Sequence, residues 1–189
     1  MFFREKGKLL GTKKDCALHS RKKAVTEEKE QKVYETLKEL GIPFEVAHHP
    51  PVFTVEEAEK HWENIRGTHC KNLFVRNKKG NRHYLVIVES SKRADLKDLN
   101  RQLGEDRLSF ASPERMKRYL GLEPGAVSPF GLIYDRDKEV RVVLDKDLKA
   151  TEWVSFHPNV NTATLTLSAG DFLKYLQWCG NPLLFFSQA

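Results

Sequence analysis

The sequence has 189 residues, of which 40% are hydrophobic, so it is long enough for one domain with a sizeable core and too short for two ordinary domains. It contains no apolar run near the roughly 18 residues of a membrane span, and the charge of Arg4 interrupts any signal-peptide core, so we expect a soluble, cytoplasmic protein. The three cysteines, Cys16, Cys70 and Cys179, form no CxxC pair, which argues against a disulfide framework and a cysteine zinc site.

The net charge of +6 lies at the N-terminus of the chain. Residues 1–24 hold eight lysine or arginine residues against two acidic ones, whereas the rest of the chain is balanced. We therefore predict that residues 1–25 form a basic, disordered tail, which would attract phosphate backbones without reading their sequence, and that residues 26–189 form the domain. A solvated extension without function is the plain alternative, and a transit peptide is disfavoured because the tail is poor in arginine.

The first predicted element after the tail is a helix that begins at Thr26. Val33 and Leu37 recur there at helical spacing, and Gly41 supplies a stop. The prolines that follow make residues 42–53 extended, because the residue before a proline is restricted to extended conformations.

A second helix and a hairpin come next. Thr54 is predicted to cap the helix, since Glu57 lies three residues further on, at the capping-box spacing. Residues 70–77 and 83–90 are strand-like runs on either side of the turn-rich sequence KKGN, and this arrangement predicts a hairpin.

The second half of the chain alternates short helices with strands, and Ser112 followed by Pro113 marks the start of one helix. Hairpins and single short helices indicate an α+β domain with a mixed, mainly antiparallel sheet. The chain has no glycine-rich nucleotide-binding turn, so no nucleotide cofactor is implied. We predict helices at 94–104, 112–121 and 169–178, and strands at 107–111, 130–135, 139–145, 152–156 and 162–168.

Few side chains stand out chemically. The seven histidines show no metal-ligand spacing, so we expect no metal site. Cys70 lacks a neighbouring base and is interpreted as a small strand residue. Lys71 begins an otherwise apolar strand, where its ammonium lies either at the rim in water or in a cleft, and the pattern alone favours the rim. His157, Asn159 and Asn161 lie in a proline-containing bend that turn chemistry alone would explain.

The segment GAVSPFGL, residues 125–132, has two interpretations. It is either a bent turn between two strands or the wall of a small pocket, built from backbone because a side chain would be too large. Glycine permits close approach of the backbone, and proline makes the bend rigid, so both residues suit a pocket of fixed size.

Four segments together resemble the YbaK/ProX family of aminoacyl-tRNA deacylases, which is related to the editing domain of bacterial prolyl-tRNA synthetases. The resemblance is nearest to the ProX (PrdX-like) branch, whose members hydrolyse alanine mischarged onto proline tRNA. It implies the family's α+β pseudo-barrel with surrounding helices, in a single domain. The segments are HPPVFTVEEA (49–58), GTHCKNLFVRNKKG (67–80), GAVSPFGL (125–132) and FHPNVNTATLTLSAGDFL (156–173).

The resemblance also implies roles for individual residues. Lys71 and His157 match the family's catalytic positions, and Cys70 departs from the small hydroxyl residue that is commoner there. The family needs no cofactor and no metal. Its partner is the acceptor end of mischarged proline tRNA, with no membrane involved, and a transient association with prolyl-tRNA synthetase is a further expectation. The implied substrate-binding residues are Asn72, Gly125, Ala126, Val127, Ser128, Pro129 and Asn161.

The leading hypothesis from the sequence is therefore a trans-acting hydrolase of Ala-tRNA(Pro). An aminoacyl ester is already activated, so such a site needs to position water and stabilise an oxyanion, without a strong nucleophile. One alternative is a deacylase for Cys-tRNA(Pro) or another small aminoacyl-tRNA. The other is a non-catalytic paralogue that senses tRNA or an amino acid, which the intact Lys71 and HPxxN segment disfavour.

Overall fold

A computed structural model describes residues 13–52 and 54–187 of the chain. Every helix among these residues is too short or too polar to cross a membrane. The helices are α1 Lys13–Glu39, α2 Val55–Trp62, α3 Leu96–Leu103, α4 Pro113–Leu120 and α5 Ala169–Cys179, with 3₁₀ helices at Pro129–Tyr134 and Lys146–Lys149. The strands are β1 Glu45–His48, β2 Thr68–Asn77, β3 His83–Glu89, β4 Leu108–Phe110, β5 Val140–Asp145, β6 Trp153–Phe156, β7 Ala163–Ser168 and β8 Leu183–Phe186.

All eight strands belong to one sheet, in the order β1-β7-β6-β2-β3-β5-β8, with β4 also paired to β2. Four ladders are antiparallel, namely β1–β7, β2–β3, β2–β4 and β6–β7. The ladders β2–β6, β3–β5 and β5–β8 are parallel. The prediction of an α+β domain with a mixed, mainly antiparallel sheet is confirmed.

Strand β2 has two different neighbours along one of its edges. Thr68 and His69 pair with β6, whereas residues 75–77 pair with β4. The stretch between them, residues 70–74, has a ladder partner only on the other edge, where β3 runs alongside. The sheet is therefore open beside the middle of β2.

The hydrogen-bond register shows which backbone groups face this opening. The N–H of Asn77 donates to Arg82, and the N–H of Ser90 donates to His69, so the odd-numbered residues of β2 bond to β3. Because an antiparallel strand alternates the direction of its N–H and C=O groups, the even-numbered residues bond toward the other edge. The backbone N–H and C=O of Asn72 therefore point into the opening.

The core lies on both faces of the central strands. Leu85 and Ile87 of β3 pack in the larger apolar cluster, with buried side chains of α1, α4 and α5. Val86 and Val88 pack in the smaller cluster with Leu99 of α3. Burial on both faces explains the nearly continuous apolar sequence of β3. Each of these buried side chains contributes about 1.5–3 kcal/mol to stability.

The capping and turn predictions are confirmed. Ser112 Oγ accepts the N–H of Arg115 at 3.4 Å, and Gly121 ends α4 in the left-handed conformation at φ 66°. Thr54 Oγ1 accepts the N–H of Glu57 at 3.2 Å at the start of α2. These features were predictable because each depends on residues close together in sequence.

Residues 130–135 were predicted as a strand, and this prediction is wrong. Pro129–Tyr134 forms a 3₁₀ helix, in which Ser128 Oγ accepts the N–H of Phe130 at 3.2 Å. Phe130 and Leu132 are both completely buried. A short run that is apolar on all sides has no periodicity, so its composition cannot distinguish a buried turn from a core strand.

The long helix α1 begins at Lys13 instead of Thr26. No glycine or proline occurs between residues 12 and 40, so the strong helix formers upstream of Thr26 continue the helix. Residues 13–25 are thus helical, which differs from the predicted disorder. Residues 1–12 of the predicted tail lie outside the described residues.

Two short edge strands were not predicted from the sequence. β1 was interpreted only as part of an extended, proline-rich segment, and β8 follows the last predicted helix. Each has four residues and pairs with a single neighbour, β7 or β5. Such strands depend on their distant partner more than on local sequence.

Candidate active site

Lys71 is half-buried, with its side chain fixed at the end of the neighbouring strand. Its Nζ donates to the backbone carbonyl of Ser90, at 3.0 Å. Ser90 follows the last residue of β3, and its N–H donates to the carbonyl of His69 at 2.8 Å. The ammonium is therefore held at a defined place and is not spread through solvent at a rim.

An ion pair anchors the loop that carries Ser90. Lys92 Nζ lies 2.7 Å from Asp145 Oδ2 and 2.5 Å from Asp147 Oδ2. The Asp145 side chain is almost completely buried, and a buried carboxylate is strongly destabilising without its cation. Lys92 therefore ties the loop to β5 and, through Ser90, helps to fix Lys71.

The loop of residues 125–129 is attached to both β2 and β6. Asn72 Nδ2 donates to the carbonyl of Val127 at 3.1 Å, which ties the loop to the middle of β2. Ser128 Oγ donates to the carbonyl of His157 at 2.5 Å. Gly125 has φ 87°, a left-handed conformation that a residue with a Cβ adopts only with strain. The loop thus has a fixed shape.

The two ends of this loop differ in exposure. Gly125 is exposed, and Ala126 and Val127 are half-buried. Ser128 and Pro129 are buried, and the Pro129 carbonyl accepts the hydroxyl of Tyr175 at 3.2 Å. The surface that a ligand can contact is therefore the first three residues, while the last two anchor them.

His157 is neutral and has one free nitrogen. Its Nδ1 lies 3.1 Å from the carbonyl of Ala163, and because a carbonyl only accepts, Nδ1 carries the proton. Burial lowers the pKa of His157 below its usual range, and nearby His49 lowers it further. Nε2 is thus an unprotonated acceptor, with no hydrogen-bond partner among the described residues.

The asparagines of the HPxxN bend hold neighbouring segments. Asn161 Nδ2 donates to the carbonyl of Val52 at 3.1 Å, and the Val52 N–H donates back to Asn161 at 3.0 Å. Asn159 has φ 63°, and its Nδ2 donates to the carbonyl of Phe130 at 3.2 Å. Both connect the bend to the segments that flank the site.

His69 is a polar neighbour of the site that the sequence did not single out. Its Nε2 donates to the carbonyl of Ile65 at 3.2 Å, and its ring stacks on Trp62 with centroids 4.2 Å apart. Burial lowers the pKa of His69, so the ring is neutral. The available signal was strand alternation, which places residues 69 and 71 on the same face of β2.

Two acceptors near Lys71 are buried without a partner among the described residues, His69 Nδ1 and Asn72 Oδ1. Buried polar atoms are nearly always hydrogen-bonded, so unpaired acceptors mark a place where a ligand's donor groups are favoured. The structure thus joins Asn72, the 125–129 loop and His157 by direct hydrogen bonds. Lys71, the neighbour of Asn72 in β2, is held separately by the Ser90 carbonyl.

This arrangement suits hydrolysis by a positioned water. The Cys70 thiol is buried, and burial raises its pKa, which makes it a poor nucleophile at neutral pH. In the part of the chain that the structure describes, no three His, Cys, Asp or Glu side chains are grouped closely enough to hold a metal. The polar groups that remain are the Lys71 ammonium, the neutral imidazoles of His69 and His157, and the backbone of Asn72.

Comparison with known proteins identifies the family. The model of the aminoacyl-tRNA editing domain matches residues 49–175. The chain belongs to this family. All four segments on which the predicted resemblance rested lie within the matched residues, and the prediction is confirmed.

Two relatives and one solved structure illustrate the match of this editing-domain protein. Prolyl-tRNA editing protein ProX of Acetoanaerobium sticklandii is 45% identical over 152 residues, which are 80% of this chain and 92% of that protein. Prolyl-tRNA synthetase associated domain-containing protein 1 of Mus musculus is 39% identical over 146 residues, 75% of this chain and 86% of that protein. The crystal structure of a candidate trans-editing enzyme for prolyl-tRNA synthetase has a TM-score of 0.64 over 85% of this chain and 98% of that one, with 23% identity, and supports the fold alone.

Proposed function

We propose that this protein is a trans-acting aminoacyl-tRNA deacylase of the cytoplasm that hydrolyses Ala-tRNA(Pro). The observation that carries the proposal is the hydrogen-bonded unit of Asn72, Val127, Ser128 and His157. The residue before Asn72 in β2, Lys71, has its ammonium fixed by the Ser90 carbonyl. Membership of the editing-domain family and the extensive match to ProX support the reaction class and the choice of proline tRNA.

The proposed mechanism uses four groups to hydrolyse an activated ester. The Lys71 ammonium and the backbone N–H of Asn72, which points into the opening beside β2, stabilise the negative charge that develops on the ester carbonyl. His157 Nε2 accepts a proton from the attacking water and returns it to the ribose oxygen of the tRNA when the ester C–O bond breaks, which releases alanine and free tRNA. The Asn72 Oδ1 acceptor binds the substrate's α-ammonium. Each group is held in place before substrate arrives, which reduces the reorganisation that the reaction requires.

Selectivity in this proposal comes from steric exclusion by Gly125–Val127. A proline side chain exceeds alanine by apolar atoms and carries no additional polar group that a site could reject. Attraction alone would select poorly, because an additional methylene in an apolar pocket is worth only about 1–3 kcal/mol, in favour of the larger group. A rigid wall avoids this limit, and the left-handed Gly125 with its anchored neighbours provides one.

We also propose a transient association with prolyl-tRNA synthetase, which would deliver the mischarged tRNA(Pro) before it is used. The name of the Mus musculus relative, which associates that domain with prolyl-tRNA synthetase, supports this partner. Co-sedimentation of the two purified proteins with and without tRNA(Pro) tests it, and the absence of a complex in both cases contradicts it.

The decisive experiment for the activity is single-turnover deacylation of tRNA(Pro) charged with alanine, cysteine, serine or proline. We expect wild-type protein to hydrolyse the alanyl ester fastest and to leave the prolyl ester at its spontaneous rate. Lys71→Ala should lower the alanyl rate by at least about a hundredfold, the range for loss of an oxyanion-stabilising group. His157→Ala should also lower it by about a hundredfold or more, as expected for loss of a general base.

His48→Ala is the matched control, because it removes a histidine whose side chain is 68% exposed and outside the hydrogen-bonded unit. Its alanyl rate should equal that of the wild type. Spontaneous rates for all four esters with the wild-type protein would contradict catalysis. If the cysteinyl ester is hydrolysed fastest, the proposed deacylase activity stands, but its substrate is Cys-tRNA(Pro).

A further inference from the structure

Five basic residues cluster near the far end of β2 from Lys71, and they are here called the basic patch. They lie on β2, on the turn after it and on α4. Among the described residues, none of them forms an ion pair with a carboxylate, although Arg82 and Lys117 nearby pair with Glu105 and Glu123. The basic patch consists of Arg76, Lys78, Lys79, Arg115 and Arg118.

Neutral groups hold the guanidinium groups of the basic patch. Arg115 Nη1 donates to the carbonyl of Gly80 at 2.8 Å and to His83 Nε2 at 2.7 Å. Arg76 Nη1 donates to the carbonyl of Asn77 at 3.0 Å. Because a carbonyl or a neutral ring orients a cation without cancelling its charge, the patch is both ordered and positive.

Arg115 of the basic patch contacts one buried side chain, His83. His83 is 2% exposed, and its ring lies tilted against Tyr119 with centroids 4.0 Å apart. Burial, followed by the charges of Arg115, Arg118 and Arg76, lowers the pKa of His83 to about 4. The histidine therefore stays neutral at physiological pH and can accept the hydrogen bond from Arg115.

The basic patch lies on the face of β2 that carries the Asn72 side chain, whereas the Lys71 side chain projects from the opposite face. Asn72 and Arg76 are both even-numbered residues of β2, so their side chains project from the same face. Four residues of extended strand separate them by roughly 13 Å. The helix α4, which carries Arg115, ends at Gly121, and the chain leads directly from there into the 125–129 loop.

We propose that the basic patch binds the phosphate backbone of the tRNA substrate while its aminoacylated 3′ end occupies the site beside Asn72. The inference rests on the proposed function and adds the surface that holds the rest of the RNA. Phosphates repeat along a nucleic acid and release counterions when lysine or arginine binds them, so a cluster of unpaired cations is the matching surface. Contacts of this kind position the RNA and do not read its bases.

The test compares two variants with the same loss of charge. Arg76→Gln with Arg118→Gln removes two of the five charges of the patch, and Lys38→Gln with Lys146→Gln removes two exposed charges elsewhere. Binding of tRNA(Pro) is measured over a series of salt concentrations. The patch variant should bind about tenfold more weakly at moderate salt, with a slope of log affinity against log salt that is lower by roughly two. The control should bind like the wild type.

A short substrate separates the patch from the chemistry. The alanyl ester of adenosine has no phosphate for the patch to bind, so the patch variant should hydrolyse it at the wild-type rate. If the wild type fails to hydrolyse this ester and Ala-tRNA(Pro), the proposed function is wrong. If it hydrolyses both and the patch variant binds tRNA(Pro) normally, or the control weakens equally, only the patch proposal is wrong. Lys78→Gln with Lys79→Gln, in the exposed turn, replaces the first variant if its melting temperature falls.

Discussion

The two halves of the segment GAVSPFGL differ in burial, although their residues are adjacent. Gly125–Val127 has exposed surface, and its Val127 carbonyl accepts a hydrogen bond from Asn72 in the middle of β2. Residues 128–132 are buried and continue into a 3₁₀ helix that is packed in the core. A pocket wall of small residues keeps its shape because the chain that follows it is anchored. The buried half is the turn, and the exposed half is the part that we propose as the pocket wall.

Among the substitutions that test this difference in burial, the largest loss of stability is expected at Phe130. Phe130→Ala removes a completely buried ring that contacts Phe156 and Tyr175, so the free energy of unfolding should fall by about 3–5 kcal/mol. Val127→Ala, three residues away, should cost less than about 1.5 kcal/mol because that side chain is only half-buried. Urea denaturation measures both. Equal losses of unfolding free energy in the two variants would contradict the distinction between a buried anchor at Phe130 and an exposed wall at Val127.

Ser128→Ala tests the hydrogen bonds of the anchor. The substitution leaves the N–H of Phe130 without its acceptor and the carbonyl of His157 without its donor, so we expect a loss of about 1–3 kcal/mol in unfolding free energy. Because the His157 carbonyl is also released, the alanyl rate should fall while the affinity for tRNA(Pro) stays constant. A normal rate in a destabilised variant would show that the anchor serves stability alone.

Gly125→Ala tests the wall. The backbone at φ 87° disfavours a Cβ by roughly 1–2 kcal/mol, so stability should fall modestly. The added methyl group also narrows the site, and hydrolysis of Ala-tRNA(Pro) should fall by at least about tenfold, whereas tRNA binding should change little. Gly104→Ala is the control, because Gly104 is also left-handed, at φ 63°, and lies at the end of α3. Equal deacylation rates in the two variants would mean that Gly125 is only a turn residue.

The smallest expected effect is a change in the pH dependence of stability when His157 is replaced. Its pKa in the folded state lies below the usual value of 6.5, so its neutral form stabilises the fold fully above about pH 6.5, and this contribution is lost as pH falls toward the folded pKa. His157→Gln should therefore reduce the loss of stability between pH 7 and pH 5. The reduction should be a fraction of the roughly 2.7 kcal/mol that the uptake of one proton can contribute at most over two pH units. An unchanged difference in unfolding free energy between the two pH values would show that His157 does not titrate in this range.

The sequence was sufficient for features whose causes are local. The caps at Thr54 and Ser112 and the β2–β3 hairpin follow from residues a few positions apart, and all were confirmed. The resemblance located the segments of the site, but not their contacts. Asn72 meets Val127 across 55 positions of sequence, and the opening beside β2 exists only because β4 and β6 both pair with that strand. Such contacts depend on the assembled sheet and leave no periodic signal in the chain.

The short opening beside β2 also bears on how the protein avoids association with itself. An unpaired strand edge is a template on which another chain can add a strand, and long exposed edges promote aggregation. In this protein β6 and β4 close the edge on both sides, so that only residues 70–74 lack a ladder partner there. A foreign strand of ordinary length therefore finds too few unpaired residues along this edge of β2 to add to the sheet. The outermost strands β1 and β8 have only four residues each, so their edges are short as well.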